Sequence, residues 1–198
     1  HTDGNGVALI DASVADFGGG PGAVRSIAGR AVVVHDSLGA RIACGIITPY
    51  ANGQADVVHV TRYPSYASGL DIHGMLIEKP IGRMGVQITG LFAGFPGDTQ
   101  GGWHVHSGVS CAVASGVGGH YYEGTMDAWI PVQYNARAGV AHINQTMDGY
   151  SWAASLSIAG RAVVVHGPPP LGARVACGVH HEVNLQTFSP PPPPSPPS

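Results

Sequence analysis

The chain has 198 residues, a net charge of −3 and only 11% charged side chains. That balance excludes a basic nucleic-acid footprint, and no apolar run reaches the roughly 18 residues that a membrane-spanning helix requires. Gly (30) and Pro (16) are abundant, and short runs of Val, Ile, Ala and Gly end at turn residues, which predicts an all-β chain.

An internal repeat sets the domain plan. Residues Ser26–His35 (SIAGRAVVVH) recur letter for letter as Ser157–His166. Gly39–Gly45 (GARIACG) recurs as Gly172–Gly178 (GARVACG), and Gly6–Ile10 matches Gly139–Ile143. Matching positions lie 131 to 133 residues apart, the length of one small domain rather than of a solenoid repeat. Residues 50 to about 134 have no counterpart. The expected plan is therefore the C-terminal part of a preceding repeat (1–49), one complete domain (50–182) and a tail (183–198). The opening, with neither an initiator Met nor a signal peptide, reads as that of a mature or truncated chain.

In chain order, the first piece contains strand-like runs at Val7–Ile10, Ala31–His35 and Arg41–Ile47, too few to bury a core alone. The complete domain adds Ala55–Thr61, Leu70–Glu78, Val86–Phe92, Gly102–His106, Gly139–Asn144, Ala162–His166 and Ala173–Val179. Turn signals separate them, among them Lys79-Pro80, Phe95-Pro96-Gly97-Asp98 and Gly167-Pro168-Pro169-Pro170. So many short strands in about 130 residues suggest an antiparallel sandwich or flattened barrel. Ser189–Ser198 is almost pure Pro and Ser and predicts an extended polyproline II rod.

The chemistry gathers around Gly102-Trp103-His104-Val105-His106. Histidines two apart on a strand share a face, which places two imidazoles side by side as half of a transition-metal site. Gly118-Gly119-His120 follows, and His166 ends a later strand. Cysteine number is odd: Cys44, Cys111 and Cys177, one pair and one left over, which points to an oxidising compartment. Asn144-Gln145-Thr146 is an N-glycosylation triplet.

The run Ser157–Gly178, together with HVHSG, the SC at 110–111 and GGHYY, resembles the copper/zinc superoxide dismutase family across nearly all of 54–181. The closer likeness is to secreted, multi-copy, copper-only members. The resemblance implies an eight-stranded Greek-key β-barrel. It implies that His104, His106, His120 and His166 hold one copper, that Cys111 and Cys177 form a disulfide, and that Arg174 guides the superoxide anion to the metal. It also marks departures. Zinc is not expected beside His120, because Tyr121–Ala141 holds no histidine and only two acids, Glu123 and Asp127. Two readings stand for these acids: one of them orients the His120 ring in zinc's place, or both are simply solvated in the loop. The loop from His166 to Arg174 is short and uncharged where zinc-containing members steer superoxide with a long charged loop.

Two functions follow as expectations. The first is a secreted copper enzyme that converts superoxide to oxygen and hydrogen peroxide. The second is a chiefly structural subunit of an extracellular matrix or cell-wall fibre, glycosylated at Asn144 and on the proline tail. In that reading the half-repeat and the proline tail assemble the chain head-to-tail into a homo-oligomer or filament, since open strand edges invite pairing. Cys44 is then half of a disulfide to neighbouring sequence, or a free thiol.

Overall fold

A computed structural model of the chain describes residues 30–46, 54–150, 156–169 and 172–184. The described residues fall into two units, a small hairpin and a barrel. The expected strand Val7–Ile10 and the Pro/Ser run lie outside the described residues.

The hairpin pairs β1 (Ala31–His35) with β2 (Arg41–Ile46). The turn between them is held by Asp36, whose Oδ1 accepts from the backbone N–H of Leu38 and of Ala40, both at 2.9 Å. This short polar side chain takes over backbone donors that the turn leaves open.

The barrel strands are β3 (Gln54–Arg62), β4 (His73–Ile81), β5 (Gly85–Ala93), β6 (Thr99–His106), β7 (Gln133–Arg137), β8 (Val140–Asp148), β9 (Ala162–His166) and β10 (Arg174–Asn184). They close in the order β10-β3-β4-β5-β8-β7-β6-β9, so the eight strands leave no free edge. Strands β6, β7 and β8 are hairpin neighbours, and β9 returns to lie beside β6. The described residues are all-β, apart from one 3-10 turn at Ala114–Gly116, as the composition predicts.

Alternation sorts the side chains. On β4, Gly74, Leu76 and Glu78 are buried between partly exposed neighbours. On β6, Trp103 and Val105 enter the main core with Val163 and Val165 of β9. Ala162 and Val164 turn the other way and join Tyr63, Val117 and Cys177 in a smaller cluster. The β6–β9 wall is thus buried on both faces, the barrel interior on one side and a covering loop on the other.

Three sequence expectations shift in register. The Lys79-Pro80 turn does not form: β4 runs on to Ile81, with Pro80 opposite Val86. The β3–β4 pairing stops at Glu78, so Pro80 lies past the last β3 partner and its missing N–H costs no bond on that side. The strand β7 had no sequence counterpart, since QYNAR carries none of the Val/Ile enrichment that marks its neighbours. It alternates all the same, burying Tyr134 and Ala136. Finally, β10 runs to Asn184, past the expected domain end at 182.

Candidate metal centre

His104 and His106 sit on the outer face of the barrel wall, the parity opposite to Trp103 and Val105. They are nearly closed to water, 8% and 0% exposed. In the β6–β9 register His104 faces Val164 and His106 faces Ala162. His166, two residues past Val164, therefore arrives on the same face diagonal to His104. Its ring centroid lies 4.9 Å from that of His104.

His120 is delivered by the loop that follows β6. The loop folds back on the strand end through Ser107 N–H to Gly119 O at 2.8 Å, Gly108 N–H to Val117 O at 2.9 Å and Tyr121 N–H to Val105 O at 2.9 Å. The last rung is a bridge between His106 and His120 themselves. The loop is pinned a second time by the disulfide Cys111–Cys177. His120 then stands 4.2 Å from His104 and 5.1 Å from His106, centroid to centroid.

Three of the four rings have one nitrogen committed. His106 Nδ1 lies 3.1 Å from Gly118 O, His166 Nδ1 2.7 Å from Gly172 O and His120 Nδ1 2.6 Å from Asp127 Oδ2. A carbonyl or carboxylate oxygen can only accept, so each of these Nδ1 atoms carries a proton and leaves Nε2 as the nitrogen available to a metal. His106 Nε2 and His166 Nε2 are buried with no hydrogen-bond partner, and so is His104 Nδ1. One donor atom from each ring lies within 4.8 Å of all the others. A metal bound at about 2 Å holds opposed nitrogens about 4 Å apart, so small ring shifts close the set. Buried lone pairs without donors are costly unless something else fills them. The four imidazoles therefore fit a metal, with one Nδ1 and three Nε2 ligands.

Electrostatics keep the rings ready. Burial pushes His104 down to about 3, with the neighbouring imidazoles adding to the effect. Burial likewise pushes His106 down to about 4, and lowers His166. Arg174, directly opposite His166 in the β9–β10 pairing, adds to the lowering of both. These imidazoles stay neutral, which is the form a metal needs.

Asp127, one of the two acids named from the sequence, is the group that reaches His120. Its Oδ1 accepts from the backbone N–H of Trp129 at 2.9 Å while Oδ2 takes the imidazole. Desolvation works to raise this carboxyl, but the Trp129 N–H and His120 together hold it below its usual range. Glu123 is exposed.

Several supporting groups had escaped the sequence reading. Trp129 Nε1–H and the Tyr150 hydroxyl both donate to Tyr121 O, at 2.6 and 3.0 Å. Trp129 is wedged between Trp103 and Tyr150, so the Asp127 turn rests on an aromatic stack in the core. The Tyr134 hydroxyl donates to His166 O at 2.9 Å. Gly102 leaves room for the His104 ring, since a Cβ there would come within 2.7 Å of Cε1 and Nε2. The Asp-x-Trp spacing, typical of a carboxylate bonding the N–H two residues on, was the one available signal.

Beside the cluster lies a shallow cleft of about 260 Å³, bounded by His104, His166, Gln100, Gln133, Ile130 and Pro169 among others, none of them charged. Arg174 is not part of its wall. Its Nη1 donates to the Tyr63 hydroxyl at 3.1 Å. His142 and Asn144 are exposed on β8. Cys44 is exposed and makes no disulfide among the described residues. No known family's sequence profile matches the chain, and no curated protein matches it.

Proposed function

We propose that the barrel is a copper-only module of the copper/zinc superoxide dismutase type and disproportionates superoxide. The strand order β9-β6-β7-β8 is the order of a Greek key, which supports the reading of the fold. The observation that carries the function is the convergence of His104, His106, His120 and His166, with three Nδ1 atoms committed to oxygen and His104 Nδ1, His106 Nε2 and His166 Nε2 buried without partners. Four borderline-soft imidazoles suit copper, which tops the divalent affinity order. Copper supplies one-electron chemistry when bound, so that one superoxide leaves as oxygen and a second, with two protons, as hydrogen peroxide. The chain's own residues hold the metal, keep the rings neutral, and orient His120 through Asp127. The uncharged cleft beside His104 and His166 admits a small anion. Arg174 supplies positive charge near His106 and His166 while tied to Tyr63, and this supports a weaker guiding role than a freely projecting guanidinium would have.

The test is a dismutase assay on copper-loaded chain with His120→Ala beside it. Activity proportional to bound copper and lost in the variant supports the proposal; copper-loaded protein without activity overturns it.

A second reading, a structural subunit of a secreted, glycosylated extracellular assembly, is favoured by one contrast. Val32, Val33 and Val34 on β1 are 50%, 38% and 39% exposed, whereas Val163, Val164 and Val165, the same letters on β9, are 0% exposed. Since the barrel is already closed, a two-stranded hairpin with apolar residues in the open is suited to pairing with the same hairpin of a second chain. Sedimentation velocity tests it: concentration-dependent oligomers support it, and a monomer at all concentrations retires it.

A further inference from the structure

A second cluster lies on the opposite face of the barrel wall, toward the interior. Strands β10, β3 and β4 are consecutive in the barrel. Asp56 of β3 stands directly across from Glu78 of β4. Glu78 has the parity of Leu76, and Asp56 that of Val58 and Val60, all core residues. His180 of β10 has the parity of Ala176, also in the core. Asp56 and Glu78 are 0% exposed and His180 is 2% exposed. His180 Nδ1 is in contact with Glu78 Oε2. Glu78 Oε1 and His180 Nε2 are buried with no hydrogen-bond partner. One donor atom from each of the three residues lies within 4.8 Å of the other two.

Three buried ligating side chains gathered this closely, with Glu78 Oε1 and His180 Nε2 unpartnered, are costly unless something binds them, and a divalent cation takes carboxylate oxygens and an imidazole nitrogen together. Oxygen donors with one nitrogen are harder than four imidazoles, so the two clusters differ in the metal they favour. Zinc binds Asp, Glu and His at about 2.0–2.2 Å, and bidentate coordination by one carboxylate supplies a fourth donor.

We propose that Asp56, Glu78 and His180 form a structural site for a divalent cation of the zinc class inside the barrel. The ion ties β10 to β3 and β4, across the seam where the last strand closes on the first. The site is independent of the four-histidine cluster and of its chemistry. The zinc whose absence is expected beside His120 is a different position.

The test uses the full chain. One form is native and one carries His104→Gln and His120→Gln, which disables the imidazole cluster. Each is stripped with chelator, exposed to zinc chloride, freed of excess and analysed for metal. The disabled form is expected to keep one zinc per chain, to gain several degrees in thermal midpoint with zinc, and to show visible d–d absorption when cobalt replaces zinc. Adding Glu78→Gln or His180→Asn removes that zinc and the shift. In the native background Glu78→Gln lowers total bound zinc by one equivalent, so the result does not rest on the disabled form folding. A disabled form with native near-UV circular dichroism that keeps no zinc overturns the proposal. Zinc uptake unchanged by Glu78→Gln in either background overturns it equally.

Discussion

The Asp127 carboxylate accepts from both a backbone N–H and the His120 ring, and the second contact fixes which nitrogen His120 presents. Partners of this kind typically set 10- to 100-fold in metal affinity. Asp127→Asn is therefore expected to weaken copper binding by about that factor in a competitive titration, with the barrel's near-UV signature intact. Unchanged affinity would show that the loop alone orients the ring. The lowered histidines give a pH dependence. Below the unfolded value of 6.5 the unfolded chain takes up protons that His104, at about 3, and His106, at about 4, refuse. Their contribution to stability is complete above pH 6.5 and is lost as pH falls toward 4 and then 3. The metal-free chain should thus lose about 1 kcal/mol per histidine between pH 7 and 5, after allowance for solvent screening. Urea midpoints of the native chain and of a His104→Gln/His106→Gln variant measure it, because the variant's midpoint should fall less. That comparison also removes the opposite trend from Glu78, whose burial-raised carboxyl loses stability as pH rises through its folded value. Equal slopes would contradict the assignment. The four histidines were legible in the sequence, because spacing and strand parity brought two rings together and motif likeness added the other two; Asp127 was named only as an alternative to Glu123 and to plain solvation of the loop. Tyr134 and Trp129 were not, since their side chains donate to the carbonyls of His166 and Tyr121, which come near only after folding.

Strands β1–β2 and β9–β10 compare one sequence in two settings. His35 Nδ1 lies 2.9 Å from Gly39 O, as His166 Nδ1 lies 2.7 Å from Gly172 O. Arg41 faces His35 as Arg174 faces His166, each beside a break in register. Local sequence therefore dictates the hairpin, its bulge and the histidine's tautomer, whereas burial comes from the partner strands. The cysteines diverge for the same reason: Cys177 is buried in a disulfide and Cys44 is exposed. Cys44 alone should react with a water-soluble alkylating reagent under native, non-reducing conditions, read by mass spectrometry as one label per chain. No label on folded chain would mean that Cys44 is already bonded to another thiol. Seven of the eight barrel strands were readable from the runs in the sequence. The escape of β7 and the extension of β4 through Pro80 show where reading fails, because pairing is decided by the neighbouring strand rather than by local preference.

For the molecule as a whole, the disulfide links stability to the site. Cys111 and Cys177 are 66 residues apart, and closing a loop of that size in the unfolded chain stabilises by about 4 kcal/mol in the chain-entropy treatment. The same bond pins the loop that carries His120. A Cys111→Ser/Cys177→Ser variant should lose roughly that stability in urea denaturation and bind copper more weakly as well. Loss of stability with full copper affinity would mean that the backbone rungs from Ser107 to Tyr121 suffice to place His120. The architecture of the barrel, with one cluster outside its wall and one inside, follows from a two-residue period that sends His104 and His106 outward and Glu78 inward. The inner cluster could not be read from sequence, since His180 comes from the last strand, which only barrel closure brings beside β3 and β4. The most direct measurement is a copper(II) titration of the metal-free chain followed by electron paramagnetic resonance. One tightly held copper per chain is expected, with hyperfine splitting from several imidazole nitrogens, and loss of that signal in His104→Ala and His166→Ala variants. Copper that binds without nitrogen splitting, or that is indifferent to those histidines, would contradict the four-histidine site.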